Sequence, residues 1–168
     1  AAIFFGRDAD ITKGLDALRR MRDGASERIL VILGASGAGK SSFLRAGLLS
    51  RLKRDTENFI VLPLVRPERA ALTGPTGVLN SLGVDAQGSP DEMTRRLEAI
   101  RQPVTDNFRR LADAAGDSWT GKAPTIVIPI DQAEELFSAD HEEAGPALFL
   151  LTSALQASDC PSSGDLRQ

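Results

Sequence analysis

A glycine-rich octapeptide near the start of the chain has the residue types that bind phosphate groups. Residues 34–41 read Gly-Ala-Ser-Gly-Ala-Gly-Lys-Ser, which matches the G-x-x-x-x-G-K-[ST] pattern at every constrained position. Glycines permit backbone angles closed to other residues, so main-chain N–H groups can approach phosphate oxygens closely. We expect Lys40 to reach the β- and γ-phosphates of a nucleotide, and the Ser41 hydroxyl to bind Mg²⁺. The predicted phosphate-binding residues are Gly34, Ala35, Ser36, Gly37, Ala38, Gly39, Lys40, Ser41 and Ser42.

A second element, an apolar run that ends in an aspartate, could complete a metal site. Residues 125–130 read Thr-Ile-Val-Ile-Pro-Ile and precede Asp131. A strand of this kind would place Asp131 beside the phosphate loop, where it could hold Mg²⁺ directly or through water. Glu134 or Glu135 could orient an attacking water; we prefer Glu134, and the alternative for both is the solvated first turn of a helix. Pro129 predicts a bulge or an edge position, because it lacks an N–H group.

The surrounding segments alternate between strand and helix patterns, which predicts an α/β fold with a parallel sheet. Strands buried on both faces are predicted at 29–33, 59–65 and 125–130. Helices are predicted at 8–22 (with Asp8 as N-cap), 40–53, 76–82, 91–101, 105–115 and 146–157, and a helical turn at 132–137.

Composition limits the classes of protein that the chain can represent. It has 168 residues, 42% hydrophobic and 26% charged, and no apolar run approaches the roughly 18 residues of a membrane span. The net charge of −3 disfavours broad electrostatic capture of nucleic acid or anionic membranes. With Cys160 and His141 as its only cysteine and histidine, the chain has neither a disulfide framework nor a Cys/His zinc site, and it fits a reducing cytoplasm.

Three motifs together resemble those of STAND-type NTPases, most closely the bacterial novel STAND branch. They are Phe4–Asp8, Gly37–Leu49 and Asp131–Phe137. The resemblance implies a P-loop NTPase, a three-layer α/β/α sandwich, with ATP and Mg²⁺ as cofactors. It also implies that Gly6 and Arg7 lie near the adenine, although Arg7 has a plain alternative as a solvated charge beside a helix start. Ala133 stands where the family usually has an aromatic residue.

The resemblance further implies a sensor strand between the phosphate-loop strand and the strand before Asp131, and a helical lid. Neither is evident after Asp131, so we expect residues 1–24 to form a lead segment and helix, and 25–168 to form part of the NTPase core. The sheet would then have a gap beside the strand predicted at 29–33, where the sensor strand is missing. We expect this gap to be filled by a partner chain, rearranged or left exposed.

The same resemblance predicts an ATP-binding regulatory module of a larger signalling protein, with slow hydrolysis as an assembly switch. Its partners would be effector, sensor or repeat domains of the same polypeptide, and a homo-oligomer is possible. The alternative is a nucleotide-binding oligomerisation module without turnover. A transport-type ATPase and a GTPase are disfavoured, because no Leu-Ser-Gly-Gly-Gln and no Asn-Lys-x-Asp sequence occurs.

Overall fold

The computed structural model describes residues 7–24, 26–67, 70–83, 121–137 and 143–157, together with residues 89, 91–92, 94–96, 98–99, 102, 106, 110 and 113–114. Most of the two predicted polar helices at 91–101 and 105–115 therefore lies outside the described residues. Gly6, His141 and Cys160 lie outside them as well.

Helix α1 (Asp8–Asp23) confirms the first predicted helix. Ile11 is buried on its apolar face, and Gly24 ends the helix in the left-handed conformation with φ 118°. The predicted cap was wrong by one residue, because Asp8 is the first helical residue and Arg7 holds the N-cap position. The Asp8 carboxylate instead accepts a hydrogen bond from Arg51 at 3.0 Å.

The helix after the phosphate loop, here called the loop helix, has three consecutive parts. They are α2 (Lys40–Ser42), a π-helix (Phe43–Leu49) and α3 (Ser50–Leu52). The predicted helix at 40–53 is thus confirmed in extent, but its centre is wound more loosely than an α-helix. A Cβ atom on Gly47 would lie 3.1 Å from the Ile11 side chain, so this glycine allows α1 to approach the loop helix closely.

Two short strands, β1 (Phe59–Val61) and β2 (Thr125–Val127), form a parallel sheet. They pair Phe59 with Thr125 through to Val61 with Val127, and a single further bridge joins Val65 to Ile130. Both strands were predicted to be longer. They are interrupted at 62–64 and 128–129, where Pro63 and Pro129 have no N–H group to donate to a neighbouring strand.

The interruption contains a one-residue change of register. Pairs up to Val61 and Val127 differ by 66 in residue number, whereas Val65 and Ile130 differ by 65. Three residues, 62–64, therefore lie opposite two, 128 and 129, which is the count of a β-bulge. An extra residue in one strand transfers every later side chain of that strand to the other face of the sheet.

Helices pack against both faces of this sheet, which confirms the α/β class. On one face, Ile60 and Ile126 contact a core built with α4 (Val78–Leu82), a 3₁₀ helix (Ala133–Phe137) and α5 (Ala144–Ala157). On the other face, a second core joins the sheet to α1 and the loop helix; it comprises Leu49, Leu52 and Phe59 with Leu15, Leu18, Leu44, Val61, Leu64 and Val127. No helix in the described part of the chain has the length and apolar character needed to span a bilayer.

The predicted strand at 29–33 was wrong. None of the strands in the described chain pairs with this segment, and an extended segment becomes a strand only through such pairing. Leu30 and Ile32 pack against the core of Ile11, Phe43 and Leu48, whereas Ile29, Val31 and Leu33 are 63%, 65% and 87% exposed. The expectation that a gap in the sheet beside this segment is filled by a partner chain, rearranged or left exposed stays a prediction.

Glu143 joins α5 to the turn that precedes α4. Its carboxylate accepts hydrogen bonds from the Thr73 hydroxyl at 2.6 Å, the Leu72 N–H at 2.8 Å and the Thr73 N–H at 3.0 Å. These bonds lower the pKa of Glu143 below its ordinary value, and the bond from the Thr73 hydroxyl has the largest effect. Partial burial of the carboxyl acts in the opposite direction. The ionised carboxylate therefore stabilises the folded chain.

We predict that Glu143→Gln lowers the free energy of unfolding at pH 7 by about 1 kcal/mol, since bonds to a charged acceptor become weaker neutral ones. A carboxyl with a lowered folded-state pKa stabilises above its unfolded pKa, near 4.3, and loses that contribution as the pH falls through the folded-state value. Thermal melts from pH 7 to pH 3 should show the two proteins converging in acid. Glu57→Gln, at an exposed position, serves as control; an equal effect of both variants, or a constant difference at all pH values, would contradict the prediction.

Candidate functional site

The phosphate loop has the backbone conformation that its glycines predict. Gly37 and Gly39 have φ values of 75° and 76°, in the left-handed region that favours glycine. Ala38 N–H donates to Ala35 O at 3.2 Å, and Phe43 N–H donates to Gly39 O at 2.9 Å as the helix begins. The first N–H groups of a helix have no partner within it and carry its positive dipole end, so the loop is shaped to receive an anion.

Lys40 lies across this loop. Its Nζ donates to Gly34 O at 2.8 Å and to Ala35 O at 3.2 Å. A Cβ atom on Gly34 would lie 3.5 Å from the Lys40 side chain, an ordinary van der Waals contact, so the lysine stem lies directly over this glycine. The ammonium group is therefore held at the loop by neutral carbonyl oxygens, which a phosphate group, with its negative charge, could replace.

Ser41 and Asp131, predicted as metal ligands from separate motifs, lie in direct contact. The Ser41 Oγ donates to Asp131 Oδ1 at 2.8 Å, across 90 residues of sequence. Asp131 directly follows the bridged residue Ile130, and its N–H donates to Val65 O at 3.0 Å. The carboxylate is buried, with 5% of the residue exposed. The fold thus brings the two predicted elements together at one edge of the sheet.

Two arginines that the sequence analysis did not single out complete this cluster. Arg45 donates to Asp131 Oδ2 at 2.9 Å, and the Arg66 Nε lies 3.6 Å from the same oxygen. Arg66 also donates to the Gln132 Oε1 at 2.9 Å. A buried carboxylate needs such partners, because an isolated charge is costly to remove from water.

Signals for both arginines were present in the sequence. Arg45 is four residues after Ser41, and residues four apart lie on the same face of a helix. Arg66 directly follows the second predicted strand, as Asp131 follows the third, and the carboxyl ends of parallel strands meet at one edge. The direction of the Arg66 side chain could not be predicted in this way, because it depends on the bulge at 62–64.

The bulge determines which face of the sheet Arg66 occupies. Leu62 and Val65 both pack in the core with α4 and α5, although they are three residues apart. Without the extra residue, Arg66 would follow the even-numbered positions Ile60 and Leu62 toward that core. With the extra residue, Val65 and Ile130 both face α4 and α5. Arg66 and Asp131 come directly after them, so both side chains turn toward the loop helix.

Beyond Asp131 the chain turns sharply. Gln132 has a φ of 60°, a conformation that non-glycine residues rarely adopt, and its side chain is held by Arg66. Glu134 and Glu135 follow in the 3₁₀ helix, which confirms a helical turn there. Glu134 is exposed and Glu135 is half-buried. Their catalytic role stays a prediction.

Arg7 lies near the beginning of the loop helix. Its guanidinium carbon is 6.0 Å from the centre of the Phe43 ring, within the range of a cation–π contact. Arg7 is half-buried and directly precedes α1, so the alternative of a solvated charge beside a helix start stays open. Its proximity to an adenine stays a prediction.

The donor set at Ser41 and Asp131 fits Mg²⁺. A hydroxyl and a carboxylate are hard oxygen ligands, and Mg²⁺ is usually held by one or two protein oxygens with waters and phosphates completing its octahedron. Within the described residues, no group of three or more His, Cys, Asp or Glu side chains could form an all-protein metal cage. These residues would therefore hold the ion together with a nucleotide.

Comparison with known proteins identifies the family. The family model described as Novel STAND NTPase 1 matches residues 1–163. Since the match covers nearly all of the 168 residues, the chain belongs to the novel STAND NTPase family, and the resemblance drawn from the three motifs is confirmed. No curated protein and no solved structure matches the chain. Membership of this family indicates a nucleotide-binding regulatory module.

We predict that Asp131→Ala lowers the free energy of unfolding by roughly 2 kcal/mol, because it leaves two guanidinium groups close together without their shared anion. The cost is below that of a fully buried pair, since both arginines are partly exposed. Urea unfolding measures the loss. Asp23→Ala, which removes an exposed carboxylate 3.8 Å from Arg22, is the control and should change stability little. Equal stability of both variants would contradict the assigned role of Asp131.

Proposed function

From this family membership, we propose that the chain binds ATP with Mg²⁺ and hydrolyses it slowly, as the assembly switch of a larger signalling protein. The observation that carries the proposal is the 2.8 Å hydrogen bond between Ser41 and Asp131. It joins the phosphate loop to the acidic strand end, the two elements that a nucleotide with its metal requires together. A chance glycine turn would need no such partner.

Each residue of the site has a distinct role in this proposal. The N–H groups of the loop bind phosphate oxygens, and Lys40 exchanges its carbonyl partners for the β- and γ-phosphates. Ser41 and Asp131 hold Mg²⁺, which when bound neutralises charge on the phosphates. Asp131 is oriented for this role by Arg66 and by the backbone bond to Val65.

The base end of the nucleotide would lie toward the N-terminal segment. Arg7 contacts Phe43, which is two residues after Ser41, so the residue directly before α1 is held near the start of the loop helix. We propose that Gly6 and Arg7 bind the adenine there. Residues 1–24 then act as a lead segment of the NTPase core formed by 25–168, with effector, sensor or repeat domains in the same polypeptide.

Hydrolysis requires a group that orients water, and we propose Glu134 or Glu135 for this role. Both follow Asp131 within one turn of helix. If neither acts, the chain would hold nucleotide as an oligomerisation module without turnover. The two functions predict the same binding but different turnover, so the rate of ATP hydrolysis by the original chain separates them, and mutation of the two glutamates tests their part in it.

Nucleotide binding predicts a thermal shift that depends on Lys40. At about 100 times the Kd, Mg²⁺-ATP should add roughly 2.7 kcal/mol to the stability, or about 5–10 °C to the Tm. Lys40→Ala should abolish the shift, since it removes the cation assigned to the phosphates. Lys13→Ala, at an exposed position on α1, should retain it. An unchanged Tm of the original chain in millimolar Mg²⁺-ATP would refute the proposal.

Turnover predicts a separation between affinity and rate. Glu134→Gln or Glu135→Gln should lower the single-turnover rate of ATP hydrolysis by roughly 10²-fold or more while leaving the ATP affinity within a factor of two, because an amide cannot accept the proton. Glu57→Gln, an exposed glutamate outside the site, is the control. Unaltered rates in both variants would remove these residues from the mechanism, and no turnover in the original chain would favour the oligomerisation module.

A further inference from the structure

Both carboxylate oxygens of Asp131 are engaged by donors of the loop helix. Oδ1 accepts from the Ser41 hydroxyl at 2.8 Å, and Oδ2 accepts from the Arg45 guanidinium at 2.9 Å. Ser41 and Arg45 are four residues apart and approach the carboxylate from one face of the helix. A metal ion on Asp131 would need the same oxygens and would bring two further positive charges.

Arg45 and Arg66 are held at this carboxylate in different ways. The backbone of Arg66 is fixed on both sides, since its N–H donates to Thr76 O at 2.8 Å and its carbonyl accepts from the Thr76 hydroxyl at 3.0 Å. Its side chain is also bound to Gln132. The Arg45 side chain is 44% exposed, and among the described residues its hydrogen-bond partner is Asp131. The Arg45 side chain can therefore turn toward solvent when its bond to Asp131 is broken.

We propose that Arg45 competes with Mg²⁺ for Asp131, so that metal loading releases Arg45 from the carboxylate while Arg66 stays as the positioning residue. The inference rests on the proposed function, because it concerns the metal that accompanies ATP. Two cations that share one carboxylate repel each other, and the half-exposed guanidinium is the one that water can accommodate. Arg45 thereby opposes metal binding.

A second possibility, that Arg45 binds phosphate, gives the opposite result on mutation. If Arg45 contacts the nucleotide, its removal weakens ATP binding whether or not Mg²⁺ is present. If Arg45 competes with Mg²⁺, its removal strengthens ATP binding only when Mg²⁺ is present. The ratio of ATP affinities with and without the metal measures this coupling directly.

The experiment measures equilibrium binding of ATP to the full 168-residue chain by calorimetry, once with Mg²⁺ and once with EDTA. We expect Arg45→Gln to raise the ratio of the two affinities roughly three- to fivefold, the size expected of a half-exposed ion pair. The Mg²⁺ concentration that gives half-maximal enhancement should fall by a similar factor. Arg45→Lys keeps the charge and should stay near the original ratio. Arg19→Gln, which removes an exposed arginine paired with Asp16, is the matched control.

An unchanged ratio in Arg45→Gln, with normal binding by the original chain, overturns the inference and leaves the proposed function intact. An equal loss of affinity in both conditions assigns Arg45 to the phosphates and also overturns it. Absence of ATP binding by the original chain overturns the proposed function and this inference together. Thermal melts of all variants establish that a lost signal does not come from unfolding.

Discussion

The burial of a single carboxylate constrains much of this structure. Asp131 is 5% exposed, and an ionised group in such surroundings must be hydrogen-bonded and paired with opposite charge. Its partners come from two directions: Ser41 and Arg45 from the loop helix, and Arg66 from the chain after β1. Satisfying this one group therefore fixes the loop helix against the carboxyl edge of the sheet. The position of the phosphate loop follows, because the loop leads directly into that helix.

An apparent defect in the sheet makes this arrangement possible. Pro63 and Pro129 interrupt the pairing of the two strands, and the interruption contains one extra residue on the first strand. The extra residue reverses the direction of the side chains that follow it, so that Arg66 turns toward Asp131 and away from the core with α4 and α5. The irregular stretch of the sheet therefore determines that Arg66 is part of the site.

The sequence predicted those parts of the molecule that depend on local patterns. Helix α1, the extent of the loop helix, the parallel strands around Phe59 and Thr125, and the contact between the phosphate loop and Asp131 all follow from residue types and spacing. The prediction of a strand at 29–33 was wrong, because an apolar run indicates a preference for extended backbone but does not supply a strand to pair with. Arg66 was missed for a related reason. Its direction depends on a bulge whose position is set by the pairing of two distant segments.

The distribution of charge around Asp131 connects the site to the chain as a whole. The chain carries a net charge of −3, yet two cations, Arg45 and Arg66, pair with this one carboxylate, and a third, Lys40, lies across the phosphate loop. Such a local excess concentrates the positive field at the phosphate loop, which favours a small polyanion over an extended one such as nucleic acid. An entering metal ion adds two positive charges to the same few ångströms. Because Lys40 is tied to the loop and Arg66 to the backbone around Thr76, Arg45 is the cation whose departure can restore the balance. The loop helix that carries Arg45 also packs against α1 through Gly47 and Ile11.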